Sequence, residues 1–148
     1  MLSPLGRHAW IAFYTAQIAL TREIGRAMQA EAGIGMEEYG VLLGLEMAEH
    51  HRLRMGEIAE MSSLSPSGIT RLVDRLEKEG LVCRQSCPND RRALHCALTQ
   101  KGLAKREEAW EVYRREVENR FASCMNDEEA EVLTGVLRRM SDLWEPFQ

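Results

Sequence analysis

Arginine side chains that could bind phosphate or read base edges occur at two places in the chain. Arg71 and Arg75 are four residues apart, and Arg91 and Arg92 follow later as neighbours. Arginine donates hydrogen bonds in a planar fork that matches phosphate oxygens and the edge of guanine. Two such groups on adjacent elements would suit the two grooves of B-DNA, one element for each groove.

The first pair lies on a predicted helix whose start and end are well marked. Ser65 is a suitable N-cap because its hydroxyl can accept from a free backbone N–H, and Pro66 suits the first helical position. Gly80 suits the position after the helix end, where φ is positive. Apolar residues recur at i, i+3, i+4 and i+7, and so form one face that should pack on the protein: Ile69, Leu72, Val73 and Leu76.

The opposite face of this helix is polar. It carries Ser67, Arg71, Asp74 and Lys78, with Thr70 and Arg75 on its flanks. Small residues near the helix start would let the backbone approach a surface, and both arginines could then reach base edges or phosphates. An ordinary amphipathic surface helix with a solvated charged face would show the same pattern.

The residues before this helix favour a nucleic-acid role. Met55, Ile58 and Met61 have the spacing of a short helix, and Ser62, Ser63 and Leu64 form a brief connection. A short helix, a tight turn and a capped second helix make a helix-turn-helix. In that motif the second helix enters the major groove.

The second pair of arginines lies near the tip of a predicted two-stranded ribbon. The strands are 81–84 and 93–98, and the turn formers Cys87, Pro88, Asn89 and Asp90 lie between them. A narrow minor groove attracts inserted arginine. Asp90 would hold an arginine in position through a local ion pair. A charged hairpin that is exposed only to solvent would show the same sequence pattern.

Two signatures in this region resemble those of the MarR (multiple antibiotic resistance regulator) family of bacterial winged-helix transcription factors. One is the run from Ser65 to Glu77 followed by Gly80-Leu81-Val82, and the other is the wing pattern D-x-R-x5-L-T that begins at Asp90. The resemblance covers nearly the whole chain. It implies that Ser65 to Glu79 would lie in the major groove, with DNA contacts from Ser67, Thr70, Arg71 and Arg75.

The same resemblance implies roles for the wing and for a ligand. Arg92 would enter the minor groove, Arg91 would contact the backbone, and Asp90 would brace the wing. The protein would be a repressor bound to a palindromic operator in double-stranded DNA. A small aromatic or phenolic effector would bind between the DNA lobe and the dimer helices, with Trp10 and Tyr14 as candidates for its aromatic wall. Plain dimer core is the alternative for both residues.

The net charge of −4 is unusual for a DNA-binding protein, but the charge is unevenly distributed. Residues 65–106 contain nine basic and four acidic residues, a net charge of +5, so the remainder carries −9. Screening limits the reach of exposed charges to about 8 Å at physiological salt. The local basic segment should therefore decide phosphate binding, with the acidic remainder facing away.

The two ends of the chain carry broad apolar helical faces. We predict helices over about 5–29, 37–49, 99–123 and from Asn126 onward, where Glu129 completes a capping box. A small monomer would bury these faces poorly, whereas a two-fold homodimer would bury them and space two recognition helices about 34 Å apart. A monomer whose terminal helices pack on the central lobe is the alternative.

These patterns predict a mostly α fold with a small β-wing (α+β). We expect one domain over 1–148, with a winged helix-turn-helix lobe at 37–98 and dimerisation helices at 1–34 and 99–148. The chain shows no apolar run long enough to span a membrane and no secretion leader, so we expect a cytoplasmic location.

The cysteines offer a different regulatory chemistry. Cys83, Cys87 and Cys96 lie in or beside the wing, where Arg84 and Arg91 could lower a thiol pKa and create a redox switch. Zinc could use the same thiols with His95, but strand alternation places His95 and Cys96 on opposite faces. The simplest interpretation is that Cys83 and Cys96 are small strand residues, and we expect no metal and no cofactor.

Enzyme motifs find no match in the sequence. It lacks a Gly-rich phosphate loop, a G-x-S-x-G elbow and an H-E-x-x-H motif, so we expect no catalytic residues. A redox- or metal-responsive regulator, or a helical interaction module without DNA binding, remains an alternative at this stage.

Overall fold

The structure is a computed structural model that describes the backbone of residues 2–87 and 90–141 and the side chains of residues 2–86 and 94–140. Two short 3-10 helices, Glu49–His51 and Ala122–Cys124, supplement the main elements. The main elements in chain order are α1 (Pro4–Ala32), α2 (Met36–Met47), β1 (Arg52–Arg54), α3 (Met55–Glu60), α4 (Pro66–Lys78), β2 (Val82–Cys87), β3 (Asp90–Leu98), α5 (Gln100–Arg120) and α6 (Asp127–Ser141).

The sheet has three antiparallel strands in the order β1-β3-β2. The two-stranded ribbon was predicted, but the third strand was not. The segment Arg52–Arg54 pairs with β3, with Leu53 opposite Cys96. The side chains of Arg52 and Arg54 are exposed, although the backbone between them is part of the sheet.

Most predicted helix ends are confirmed by their capping groups. The Ser65 hydroxyl accepts from Gly68 N–H at 3.2 Å at the start of α4. Gly80 follows the other end of α4 with φ 75°. At the start of α6, Asn126 and Glu129 cap each other's backbone N–H at 2.9 Å, which is the reciprocal bonding of a capping box.

The core lies where the α3–α4 pair, the sheet and α2 meet. Its fully buried members include Leu42 and Leu45 from α2, Ile58 from α3, and Leu81 and Val82 at the start of β2. Parts of α1 and α5 complete it through Met28 and Ala109. This arrangement confirms the predicted mostly α fold with a small sheet.

The first turn of α5 is fixed against the base of the ribbon. The Thr99 hydroxyl donates to the carbonyl of Gly80 at 2.7 Å and accepts from Gly102 N–H at 3.0 Å. Gly102 lies so close to the Leu81 carbonyl that an added Cβ would collide with it. Glycine is therefore required where α5 leaves the sheet.

The terminal helices bury only part of their apolar surface. Within α1, Ile24, Met28 and Ala32 are buried, but the preceding turns leave large side chains in solvent: Trp10, Ile11, Phe13, Tyr14 and Ile18. None of the helices in the described part of the chain has the length and apolar character needed to span a membrane.

Candidate nucleic-acid interface

Helix α4 separates a buried apolar face from an exposed polar one. Its four apolar residues, predicted from their spacing, are each no more than 1% exposed: Ile69, Leu72, Val73 and Leu76. Ser67, Thr70, Arg71 and Arg75 are all exposed on the remaining surface. The helix is therefore anchored by one face, and its polar face is open to a partner.

Small polar groups make the start of α4 compact. The Ser65 and Ser67 hydroxyls are 3.2 Å apart, and either can donate to the other. Thr70 Oγ1 donates to the carbonyl of Pro66 at 3.0 Å. These side chains are short and lie against the first turn, so the backbone here can approach another surface closely.

The two arginines of α4 differ in their surroundings. Arg71 is exposed, and no hydrogen bond or ion pair joins it to any other described residue. Arg75 Nη2 donates to Glu38 Oε1 at 2.7 Å. Arg71 is thus available to an incoming phosphate or base, whereas Arg75 has to break its ion pair with Glu38 before it makes such a contact.

Glu38 makes a contact with α4 that the sequence analysis did not predict. Its Oε2 accepts from Gly35 N–H at 3.1 Å and so caps α2, while its Oε1 holds Arg75. The spacing of Gly35 and Glu38 is that of a helix cap and its N3 carboxylate. The link to α4 spans 37 residues and has no local sequence signal.

Arg84 joins the base of the ribbon to α4. Its guanidinium donates to Glu77 Oε2 and to Asp74 Oδ1, both at 2.6 Å, and its backbone N–H donates to Glu77 Oε1 at 2.8 Å. The backbone N–H of Arg84 is the largest influence that lowers the pKa of Glu77, and the guanidinium adds to it. Asp74 is exposed, as expected for the outward face, and it also pairs with Arg84.

This junction sets the position of the ribbon relative to the helix. Arg84 is mostly buried, and it makes bidentate contact with two carboxylates one helical turn apart on α4. Charge-assisted bonds of this kind are shorter and stronger than neutral ones. The two elements proposed to enter neighbouring grooves are thus joined by side chains that sequence analysis did not pair.

At the wing tip the backbone of Cys87 and Asp90 is described, whereas Pro88 and Asn89, predicted as turn formers, lie outside the described residues. Strand β2 ends at Cys87 and β3 begins at Asp90, with an irregular register between Ser86 and Cys87. The side chains of Asp90, Arg91 and Arg92 lie outside the described ones. Their assignments as brace, backbone contact and minor-groove contact stay predictions.

Cys96 lacks the surroundings of a redox switch. Cys96 is fully buried, and this burial raises the pKa of its thiol to about 12. Arg84 opposes the shift but does not overcome it, so a lowered thiol pKa was wrong for Cys96. The Cys87 side chain lies outside the described residues.

The geometry of the strands also separates the thiols. Cys83 pairs with Ala97, and Arg84 pairs with Cys96. Because side chains alternate along a strand, Cys83 and Cys96 point to opposite faces. Within the described side chains, no group of three or more His, Cys, Asp or Glu residues is arranged to hold a metal ion.

An apolar cavity of about 630 Å³ lies between α1, α5 and α6. Phe13, Tyr113 and Phe121 give it aromatic walls, and Gln17 and Thr21 supply polar groups. Trp10 and Tyr14 are not among its lining residues. They stack on each other with centroids 5.8 Å apart and are 59% and 51% exposed, so their role in ligand binding stays a prediction.

Comparison with known proteins places this geometry in a family. The MarR family model matches residues 36–94, from α2 into β3. The transcriptional repressor MdtR of Bacillus subtilis is 33% identical over 107 residues, which cover 69% of this chain and 68% of MdtR.

Two solved structures from Streptomyces coelicolor are similar over almost the whole chain. Sco3205, a MarR family transcriptional regulator in complex with DNA, has a TM-score of 0.88 and 27% identity, covering 99% of this chain and 91% of its own. AbsC, another MarR family transcriptional regulator, has a TM-score of 0.84 and 26% identity, with coverage of 96% and 95%. With a capped α4, a three-stranded sheet and these relatives, the chain belongs to the MarR family of transcriptional regulators.

Proposed function

We propose that this protein is a homodimeric repressor that binds an imperfect palindromic operator in double-stranded DNA. The observation that carries the proposal is the division of α4 into a fully buried apolar face and an exposed polar face with an unpaired arginine. The relatives support it, since MdtR is a transcriptional repressor and Sco3205 was solved in complex with DNA. DNA binding would place the protein in the cytoplasm.

In the proposed complex, α4 lies in the major groove. Ser65, Ser67 and Thr70 allow close approach and bind backbone or base edges, while Arg71 reads a base edge or binds phosphate. Arg75 leaves Glu38 to contact DNA. The wing follows the neighbouring minor groove, where Arg92 enters, Arg91 contacts the backbone and Asp90 braces the tip.

The second copy is proposed to cover the open face of the terminal helices. Exposed aromatic and aliphatic side chains on α1 and α6 form more apolar surface than a monomer would leave in solvent. We assign 1–34 and 99–148 to dimerisation and 37–98 to the DNA-binding lobe of one domain. The two-fold axis would set the two copies of α4 about 34 Å apart.

A small aromatic or phenolic effector is proposed to relieve repression. The cavity of about 630 Å³ touches α1 and α5, and Met36 brings α2 into its wall. A ligand there would contact both the dimer helices and the lobe. It would act by favouring a spacing of the two lobes that no longer matches one DNA turn.

A gel-shift titration against the promoter beside the protein's own gene tests the DNA-binding proposal. Arg71→Ala should weaken binding by about 1–3 kcal/mol, and Arg92→Ala should also weaken it while the protein stays folded. Arg22→Ala, an exposed arginine on α1, serves as the matched control and should leave binding unchanged. Equal affinity for Arg71→Ala and wild type would refute the assigned helix.

The salt response provides a separate check. Phosphate contacts release counterions, so affinity should fall steeply as salt rises. A flat response, or no shift with any promoter fragment, would favour a helical interaction module without DNA binding.

A further inference from the structure

A second pocket lies within the DNA-binding lobe itself, away from the terminal helices. It has a volume of about 310 Å³, and its walls come from α2, β1, α3 and the turn that follows α3. None of the described residues of α1, α5 or α6 lines it. The pocket is therefore separate from the open apolar face of the terminal helices.

Two glycines on α2 line the pocket. Gly40 and Gly44 are four residues apart and so lie on the same helix face. A Cβ added at Gly40 would meet no atom within 4 Å, whereas one at Gly44 would collide with the terminal methyl of Met61. Glycine inside a helix is destabilising relative to alanine, and at Gly40 no neighbour requires it.

The interior of the pocket is apolar. Its lining residues include Val41 and Leu43 from α2, Leu53 from β1 and Ile58 from α3. Met61 lies over Gly44 at one side. Methionine is unbranched and adaptable, so its side chain can adjust to a bound apolar group.

Among the described residues that line this pocket, Glu37 alone is charged. Its carboxylate accepts hydrogen bonds from Ser63 at 3.1 Å and from Ser62 at 3.4 Å. No cation pairs with Glu37 anywhere in the described part of the chain. An apolar pocket with one unpaired carboxylate at its rim is complementary to a molecule with an apolar body and a positive end.

We propose that this pocket binds a small hydrophobic amine, with its ring between Gly40 and Leu53 and its ammonium on Glu37. An ammonium offers three donors, and a carboxylate that accepts only two hydroxyl bonds keeps lone pairs for it. The charge-assisted contact gives the site its preference for a cation.

Binding there reaches the recognition helix through the turn. Ser62 and Ser63 belong to the connection between α3 and α4, and Glu37 is what ties that connection to α2. An ammonium that shares the Glu37 carboxylate weakens its bonds to these hydroxyls, while the ring displaces Met61. The turn then shifts and α4 loses its orientation for DNA, a consequence that rests on the proposed DNA binding.

Isothermal titration of the full-length protein with three matched probes tests the site without DNA. The probes are 2-phenylethylamine, the neutral 2-phenylethanol and the anionic 3-phenylpropanoate. The amine should bind at least about tenfold more tightly than the alcohol, and the anion most weakly. Equal affinity for the three probes, or no binding of the amine, would overturn the proposal.

Two variants locate the binding. Glu37→Gln keeps an acceptor for Ser62 and Ser63 but removes the charge, so the preference for amine over alcohol should disappear. Gly40→Leu fills the pocket and should abolish binding of both, while a thermal melt reports whether the fold is retained. Glu60→Gln, an exposed carboxylate on α3 outside the pocket, should bind like wild type. Unchanged amine binding in Gly40→Leu would refute the site.

The regulatory step is measured separately by gel shift. Saturating 2-phenylethylamine should weaken operator binding by wild type and leave Gly40→Leu unaffected. Amine binding without any effect on the shift would overturn the regulatory step alone. If wild type shifts no DNA in the absence of amine, the proposed function fails, and the calorimetry still decides the site.

Discussion

Helices α4 and α1 handle their apolar residues in opposite ways. Every apolar residue predicted for the inner face of α4 is buried within the same chain. In α1 the buried residues lie toward the C-terminal end, and the turns from Trp10 to Ile18 keep their large side chains exposed. Helix α4 therefore buries its apolar face within one chain, whereas α1 leaves an apolar surface exposed.

The difference separates what one copy does from what two copies do. The lobe around α4 has a closed core, so its reading surface can be formed by a single chain. The apolar side chains on the exposed face of α1 are removed from water only when a partner packs on them. We therefore expect mutations in the first region to act on folding and those in the second to act on assembly.

The largest effect should come from opening the closed core. Leu72→Ala removes a side chain that is 1% exposed and should lower the free energy of unfolding by about 2–5 kcal/mol. Urea denaturation measures it. Leu94→Ala, at a half-exposed site on β3, is the control and should cost less than about 1 kcal/mol. Similar losses for both would contradict the contrast between buried and open surface.

Assembly should respond most to the aromatic face of α1. Trp10→Asp places a charge where the second copy is proposed to pack, and should weaken self-association about 30-fold or more. Sedimentation velocity over a concentration series measures it. Met47→Asp alters an exposed apolar residue of the DNA-binding lobe and should leave association intact. A dimer unaffected by Trp10→Asp would place the interface elsewhere.

A smaller effect is expected at the junction of ribbon and helix. The pKa of Glu77 is lowered below its usual 4.5 in the folded protein, so its stabilisation is complete above that value and is lost as the pH falls through the folded pKa. Glu77→Gln should lower stability at pH 7 by on the order of 1 kcal/mol, because solvent screens a partly exposed pair.

Thermal melts between pH 7 and pH 3 measure this contribution. The difference between wild type and Glu77→Gln should be largest near neutral pH and shrink below pH 4 as the wild-type carboxyl is protonated. Glu107→Gln, an exposed carboxylate on α5, is the control. A difference that stays constant down to pH 3 would show that the ionised carboxylate is not what stabilises the junction.

The smallest perturbation compares thiols in the two regions. Cys96 lies in the closed core with a pKa of about 12, whereas Cys124 is exposed beside the terminal helices. A thiol reagent at pH 8 should therefore label Cys124 quickly and Cys96 only as fast as the lobe opens. Mass spectrometry after digestion assigns the sites. Rapid labelling of Cys96 in folded protein would revive a redox role for the wing.

Local sequence signals predicted the helices well. Ser65 and Pro66 mark the start of α4, and Asn126 with Glu129 marks the start of α6; each pair acts within one turn, so spacing alone reveals it. The buried face of α4 also follows from its period. These features depend on neighbours in sequence, and the structure confirms them.

Features that depend on distant neighbours were missed. Strand β1 has three residues and exists because Leu53 meets Cys96, 43 residues away. The Arg75–Glu38 pair and the junction of Arg84 with Asp74 likewise join separate elements. For Cys96, the sequence showed nearby arginines, which lower a thiol pKa, but not the burial, which raises this pKa by more. Composition and period do not encode which distant side chains meet.

The close approach of Gly102 to the Leu81 carbonyl fixes the start of α5 against the sheet, so this helix can act as a lever. This helix is rooted beside the wing and continues for 21 residues, about 30 Å at 1.5 Å per residue. A tilt of about 10° at its far end, where the partner copy is proposed to pack, would swing the other end by roughly 5 Å over that length. In this way a small adjustment between the two copies would move the DNA-binding lobe far enough to take α4 out of its groove.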